Sequence, residues 1–210
     1  MKINQKKTRI IAFNKSRKYD FPPELSFSDG EFLEVVTDIK LVGVIVDKNL
    51  SWQKNTDYIC QKATQKLWTI RRLKKLKLNY TTLLDVYCKD IRSILEHAVP
   101  AWHSGLTRKQ AAQIERVQKT AFKIILENNY IDYETACTLL CVEPLEFRRI
   151  QLCLNFAKRD FKKDETIFTR ICFQPNTRAK PKQVKEFRCR TSRYKKSSVP
   201  YLSRLLNTHL

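Results

Sequence analysis

The chain has 210 residues, of which 42% are hydrophobic, and this is enough apolar material for a packed core and excludes wholesale disorder. Its 41 Lys and Arg against 21 Asp and Glu leave a formal net charge of +20, which indicates a polyanionic partner. Nucleic acid is the first candidate for that partner and an anionic membrane surface is the second. No apolar run approaches the roughly 18 residues of a membrane span, so we expect no membrane association.

The cysteines and the N-terminus predict the cellular compartment. There are seven cysteines, an odd number with no regular spacing, and residues 1–7 are polar and basic without an apolar run behind them. We therefore expect no signal peptide, free thiols and an intracellular protein, nuclear or cytoplasmic, with the nucleus favoured. Most of the cysteines lie on apolar helical faces and are predicted to be small core residues.

The first fifty residues have the pattern of a small sheet. Residues 8–13 are β-prone, and residues 25–27 and 32–36 are predicted to pair through a tight turn at 28–30. Residues 40–46 form an apolar, β-branched run around a glycine. Since all three glycines lie before residue 106, we expect strands only near the start of the chain. The pattern predicts a small antiparallel sheet.

From about residue 54 the apolar residues recur at helical spacing. Asn79 and Thr107 are suitable N-caps, and Pro144 suits the first turn of a helix. The predicted helices are one before Asn79, one after it that ends at Pro100, one that starts at Thr107, one over 133–140 and one from Pro144 onward.

The end of the chain changes character again. Residues 176–196 hold nine Lys or Arg and a single acid, Glu186, and a short apolar close follows. The sequence therefore predicts an α+β fold in three parts. These are a β-hairpin module over 1–53, a mostly helical, thumb-like bundle over 54–173, and a basic, loosely ordered tail over 174–210.

Several segments resemble one known family in the order in which that family carries them. Residues 7–14 (KTRIIAFN) and 41–52 (LVGVIVDKNLSW) resemble the palm end of LINE-type, non-long-terminal-repeat reverse transcriptases, including its "LGV…D…L.W" strand. Residues 91–102 (IRSILEHAVPAW) are similar to its "RS.LEY..P.W" segment. The remaining matches are IERVQKTA at 114–121, LEFRR at 145–149 and RYKKSSVPYL at 193–202, the last similar to the tails of jockey-like elements.

This resemblance implies an RNA-directed DNA polymerase in which the region seen here supplies the palm end, thumb and tail. In the family the metal-binding carboxylates lie upstream of these motifs, so we expect this chain to lack them and to be inactive alone. We expect no cofactor, Mg²⁺ being required only by an intact polymerase with an upstream region. Asp29, Asp38 and Asp47 are interpreted as turn or strand-end carboxylates.

Other catalytic chemistry is not indicated by the sequence. Cys137 and Cys141 have the i, i+4 spacing of a zinc half-site, but no companion pair follows at a standard distance, so core packing is favoured. His97 and His103 have no nucleophile at a recognisable spacing and are interpreted as structural. No metal site and no catalytic residue is predicted.

Binding is what the sequence does support. A thumb holds its RNA/DNA duplex by phosphate contacts, for which Lys and Arg at helical spacing suffice. The alternative interpretations are a solubilising face for the helix, and a disordered segment or nuclear-import signal for the tail. Trp52, Trp68 and Trp102 are expected to pack the hairpin and bundle. The candidate residues are Lys62, Lys66, Arg71, Lys74 and Lys75 on the first helix and Arg178, Lys182, Lys185, Arg188, Arg190 and Arg193 in the tail.

Three functions are left open. The resemblance favours the C-terminal fragment of a retrotransposon reverse transcriptase that grips RNA, an RNA/DNA hybrid or target DNA, as a truncated copy or gene fragment. A domesticated, non-catalytic nucleic-acid-binding protein or an inert remnant is the alternative. A basic helical adaptor for protein partners rests only on the amphipathic helices.

Overall fold

The computed structural model describes residues 8–13, 24–26, 32–161, 184 and 186–209. Within them the fold is α+β, with short strands first and a mostly helical remainder, so the predicted fold class is confirmed. The chain divides into two compact units, Met1–Tyr58 and Ile59–Leu210. Among the described residues, no helix combines the length and apolarity needed to cross a membrane.

Three strands of the first unit form a sheet in the order β1-β3-β2, with β1 at Ile10–Ile11, β2 at Glu24–Ser26 and β3 at Phe32–Val36. β2 and β3 are antiparallel, as predicted. β1 runs parallel to β3, so the expectation of a wholly antiparallel sheet is wrong. Parallel strands need a crossover of a dozen or more residues, and residues 12–31, which separate β1 from β3, are long enough to provide it.

The apolar run around Gly43 is a hairpin and not one strand. β4 (Asp38–Leu41) and β5 (Val44–Asp47) pair antiparallel through a turn at Val42 and Gly43. Both turn residues have positive φ, 45° and 86°, which is the requirement of a tight two-residue hairpin turn. Glycine adopts this conformation without strain and valine does not, so the sequence signal at Val42 pointed to a strand.

The helices of the bundle follow the predicted order. Thr107 caps α5 with a full capping box shared with Gln110, and Asp132 caps α6 through the Thr135 amide. The bounds are α1 Gln53–Lys75, α2 Tyr80–Val86, α3 Ser93–Glu96, α4 Val99–Trp102, α5 Arg108–Leu126, α6 Tyr133–Leu139 and α7 Leu145–Phe161.

A π-helical segment, Tyr87–Arg92, joins α2 to α3 and keeps one side of this helical stretch in the core. The buried residues are Leu83, Tyr87, Ile91 and Leu95, spaced four apart. In a regular α-helix this spacing drifts around the axis. The wider i→i+5 turn reduces the drift, so all four side chains face inward.

The prediction that Pro100 ends this helix is wrong. The helix ends at Glu96, because Ala98 takes a left-handed conformation with φ of 51°. Pro100 lies in the first turn of α4, where its missing N–H would have no intrahelical acceptor in any case.

The core of the second unit contains a hydrogen-bonded polar chain that joins the π-helical segment, α5, α6 and the residues just before α7. Tyr87 donates to Gln118, whose amide donates to the Tyr133 hydroxyl at 2.9 Å and to the Glu143 carbonyl at 3.0 Å. Tyr133 donates in turn to Glu115. Burial raises the pKa of both tyrosines, so their hydroxyls stay protonated donors.

Part of the tail is ordered against the bundle. α8 (Ser192–Lys195) is followed by α9 (Ser198–His209), which packs against α7 and α4 with Leu202 and Leu206 buried. Ser198 also donates to the Ala101 carbonyl at 2.9 Å. Residues 198–209 belong to the segment predicted to be a loosely ordered tail, but their apolar residues form one face of an amphipathic helix instead.

Candidate nucleic-acid interface

The exposed surface of α1 carries most of the basic residues predicted to bind phosphate. Lys62, Lys66, Arg71 and Lys75 are exposed, while the apolar stripe of the same helix is buried. That stripe contains Ile59, Ala63, Leu67 and Ile70, each at most 4% exposed. The stripe fixes the orientation of α1, so the basic side chains necessarily point to solvent.

The four exposed basic residues form two flanks of α1. Successive residues of an α-helix are about 100° apart around its axis. Measured from Arg72, Lys62 and Lys66 lie roughly 80° and 120° to one side. Lys75 and Arg71 lie roughly 60° and 100° to the other side. Arg72 is itself exposed and lies near the middle of the outward face. The two flanks lie on either side of the outward face, and the second begins about 7.5 Å further along the helix than the first ends.

Lys74 has a structural position, unlike its four companions. Its ammonium donates to the Ile125 carbonyl at 2.8 Å and lies 3.6 Å from the Glu127 carboxylate. It therefore binds the C-terminal end of α5, where carbonyls lack intrahelical partners and a positive charge is favourable. The periodicity explains this difference, because Lys74 falls on the buried side of α1.

Trp68 was expected to pack the bundle and instead lies on the outward face, where it is 58% exposed. The guanidinium of Arg72 lies over its ring, 5.0 Å from the centroid. Trp102, by contrast, is fully buried and donates its indole N–H to the His97 carbonyl at 2.9 Å. Trp68 immediately follows the buried Leu67, and this one-residue offset was the sequence signal for exposure.

The charge of this region has one sign. From Tyr58 to Leu84 the sequence contains no Asp or Glu. Within the described residues, Lys66, Arg71, Arg72 and Lys75 take part in no ion pair. Within the described residues these four cations are therefore not neutralised by an ion pair. The seven basic residues of the 58–84 segment are Lys62, Lys66, Arg71, Arg72, Lys74, Lys75 and Lys77.

The tail residues lie on a different element from the helix residues. Arg188, Arg190 and Arg193 are exposed, in the segment leading into α8 and on α8 itself. Tyr194, beside them, is 43% exposed. Arg178, Lys182 and Lys185 lie outside the described residues. The structure therefore places half of the predicted tail cluster on the surface of the second unit.

Asp38 and Asp47 have structural hydrogen bonds. They face each other across the β4–β5 hairpin, and Asp38 pairs with Lys54. The buried carboxylate of Asp47 accepts from the backbone amides of Ser51 and Trp52, at 2.9 and 3.3 Å. These contacts confirm the interpretation of both as strand-end carboxylates. Within the described residues, no group of three or more His, Cys, Asp or Glu is arranged to hold a metal.

The histidines and the Cys pair also have local roles. His103 packs edge-on against Tyr201, with ring centroids 5.8 Å apart. Burial, reinforced by the charge of Arg149, lowers the pKa of His103 to about 4, so the side chain is neutral. Cys137 is buried as predicted, whereas Cys141 is exposed because it follows the end of α6.

Comparison with known proteins leaves the family open, because no family model, no curated protein and no solved structure matches the chain.

Proposed function

We propose that this chain is the thumb-bearing, C-terminal region of a LINE-type, jockey-like reverse transcriptase and that it grips a nucleic-acid duplex through α1. The observation that supports this most is the pair of exposed basic flanks on α1, Lys62 with Lys66 and Arg71 with Lys75, in a stretch of sequence, residues 58–84, that contains no Asp or Glu. An RNA/DNA hybrid is the proposed ligand, as implied by the resemblance of the surrounding motifs.

The two flanks of α1 suit a duplex with two phosphate backbones. An A-form hybrid has a wide, shallow minor groove between its backbones, and a helix about 10–12 Å across with its side chains can lie along it. Basic residues along both sides of such a helix contact both backbones, and these contacts do not depend on base sequence. A solubilising face has no reason to concentrate a single sign of charge, and this favours phosphate binding over that alternative.

The proposal assigns binding, and not polymerisation, to this chain. Asp38 and Asp47 are engaged in ion-pair and turn hydrogen bonds, so we assign neither to metal-ion catalysis. We expect the chain alone to incorporate no deoxynucleotide into a primed RNA template with Mg²⁺. Incorporation above background would overturn this assignment.

The free thiols of the described residues and the basic tail support an intracellular, nuclear-favoured location.

The test is the salt dependence of binding by the full chain. Affinity for a labelled RNA/DNA hybrid is measured by fluorescence anisotropy from low to physiological salt. In the test variant Lys62, Lys66, Arg71 and Lys75 are all changed to Gln. Loss of four phosphate contacts reduces the slope of log affinity against log salt by about 3, since each contributes roughly 0.7–0.9.

A matched control separates the α1 surface from net charge. Its four substitutions to Gln are at Arg108, Lys109, Arg116 and Lys158, which are exposed on α5 and α7. We expect this variant to keep most of the wild-type slope. Equal slopes in both variants would show diffuse attraction and refute the α1 interface. Absence of binding by the wild-type chain at low salt would refute both the thumb and the domesticated-binder proposals.

A further inference from the structure

The outward face of α1 carries an aromatic side chain that duplex binding through phosphates does not require. Trp68 is 58% exposed in the middle of a long helix whose apolar stripe is otherwise buried. Its side-chain neighbours one turn away are Thr64, Gln65, Arg71 and Arg72, all exposed. The indole is therefore held on a rigid helix among polar and basic side chains of that helix.

One face of the indole is already occupied. The Arg72 guanidinium lies 5.0 Å from the ring centroid, a distance typical of cation–π contact. This contact orients the ring and leaves the exposed part of the indole for a second flat group. A flat group stacked on this exposed part would lie opposite the Arg72 guanidinium, with the Trp68 ring between the two.

We propose that Trp68 stacks on an unpaired base, so that α1 binds single-stranded nucleic acid adjoining a duplex. This rests on the proposed function and specifies its ligand further. Inside a duplex both faces of a base are covered by neighbouring base pairs, so only an unpaired base offers a free face. Stacking on an aromatic side chain is tolerant of sequence, as is the phosphate binding by the flanks.

Charge complementarity selects nucleic acid over other flat or apolar partners. Arg71, Arg72 and Lys75 lie within two turns of Trp68, and the sequence around them has no acid from Tyr58 to Leu84. A base comes with a phosphate on each side, and basic residues at helical spacing on both sides of the indole match that arrangement. An acidic protein segment also supplies negative charge, but it does not supply a stacking group at every residue.

The experiment uses the full chain and three probes. These are oligo(dT), a duplex whose two ends are closed by ethylene-glycol linkers and which therefore has no unpaired base, and poly-glutamate. Trp68→Ala is expected to weaken oligo(dT) binding about 5- to 150-fold, in line with alanine substitution at stacked aromatics. Trp68→Phe retains a ring and is expected to lose much less. Affinity for the closed duplex stays unchanged in both variants.

The control is Leu76→Ala, which removes another apolar side chain, 69% exposed, from the residue following α1. We expect it to leave oligo(dT) affinity unchanged. An unchanged oligo(dT) affinity in Trp68→Ala would overturn the stacking proposal, as would an equal loss for oligo(dT) and closed duplex. Poly-glutamate binding with the same dependence on Trp68 would overturn it in favour of an acidic protein partner.

These outcomes are distinct from failure of the proposed function. If the wild-type chain binds the closed duplex with a steep salt dependence, the phosphate interface stands whether or not Trp68 contributes. If Trp68→Ala weakens binding to oligo(dT) alone while the four-Gln variant keeps the wild-type salt slope, the stacking proposal is supported and phosphate binding by the flanks is refuted.

Discussion

Replacing Glu115 by Gln is expected to destabilise the second unit strongly, because Glu115 is the partner of a buried cation. Arg149 is fully buried, and its Nη1 lies 3.7 Å from the Glu115 Oε2. Within the described residues its three guanidinium nitrogens have no hydrogen-bond acceptor. Burial lowers the pKa of Arg149, and the Glu115 charge opposes that shift. The carboxylate is therefore what makes a charged Arg149 tolerable in the core.

The magnitude follows from the bonds that survive the substitution. Glu115 Oε1 accepts from the Leu145 amide at 2.8 Å and from the Tyr133 hydroxyl, and a Gln side-chain carbonyl can accept both. What is lost is the charge. Removing one partner of a buried ion pair costs about 3–5 kcal/mol, a large part of a typical unfolding free energy of about 5–15 kcal/mol.

The matched variant is Arg149→Met, which removes the cation at similar volume. Glu115 keeps its two hydrogen-bond donors and is partly exposed, so its charge stays solvated and we expect a smaller loss of unfolding free energy than for Glu115→Gln. Once Arg149 is Met, adding Glu115→Gln should cost little. The four proteins are compared by urea unfolding followed by far-ultraviolet circular dichroism. Additive effects in this cycle, or a loss below 1 kcal/mol for Glu115→Gln alone, would refute the reasoning.

Two further predictions test local features of the bundle. Folding lowers the pKa of His103 from 6.5 to about 4. The contribution of His103 to the free energy of unfolding is therefore complete above pH 6.5 and is lost as the pH falls toward 4. This contribution amounts to at most about 3 kcal/mol. We expect His103→Phe to flatten the pH dependence of the unfolding free energy measured in urea. An unchanged pH profile would contradict this prediction. Lys74→Met removes the bond to the Ile125 carbonyl and should lower the unfolding free energy by about 1–2 kcal/mol while leaving hybrid affinity near wild type. A larger effect on affinity than on stability would place Lys74 in the interface instead.

Local signals in the sequence predicted the helical elements well. Asn79 and Thr107 initiate helices because their side chains accept amide hydrogens that have no intrahelical partner, and this depends only on the residues nearby. The burial of Ile59, Ala63 and Leu67 follows from their spacing alone. The α+β class and the exposure of the α1 flanks were therefore predictable.

Non-local contacts decided what the sequence pattern could not. The helical period places Lys74 on the buried side of α1, but it does not identify the partner of Lys74, the Ile125 carbonyl 51 positions along the chain. The direction of β1 depended on its pairing with β3, and the role of Arg149 depended on Glu115 from another helix. These assignments need the three-dimensional packing of distant segments.

The basic character of α1 and the absence of acids from Tyr58 to Leu84 were determined by the sequence alone, as was the attraction to a polyanion that follows from them. Only the tertiary structure showed that Trp68 is exposed on the outward face with the Arg72 guanidinium over its ring. The physical reason is that periodicity gives the angles of side chains around a helix, whereas packing against the rest of the bundle decides which of those angles face water.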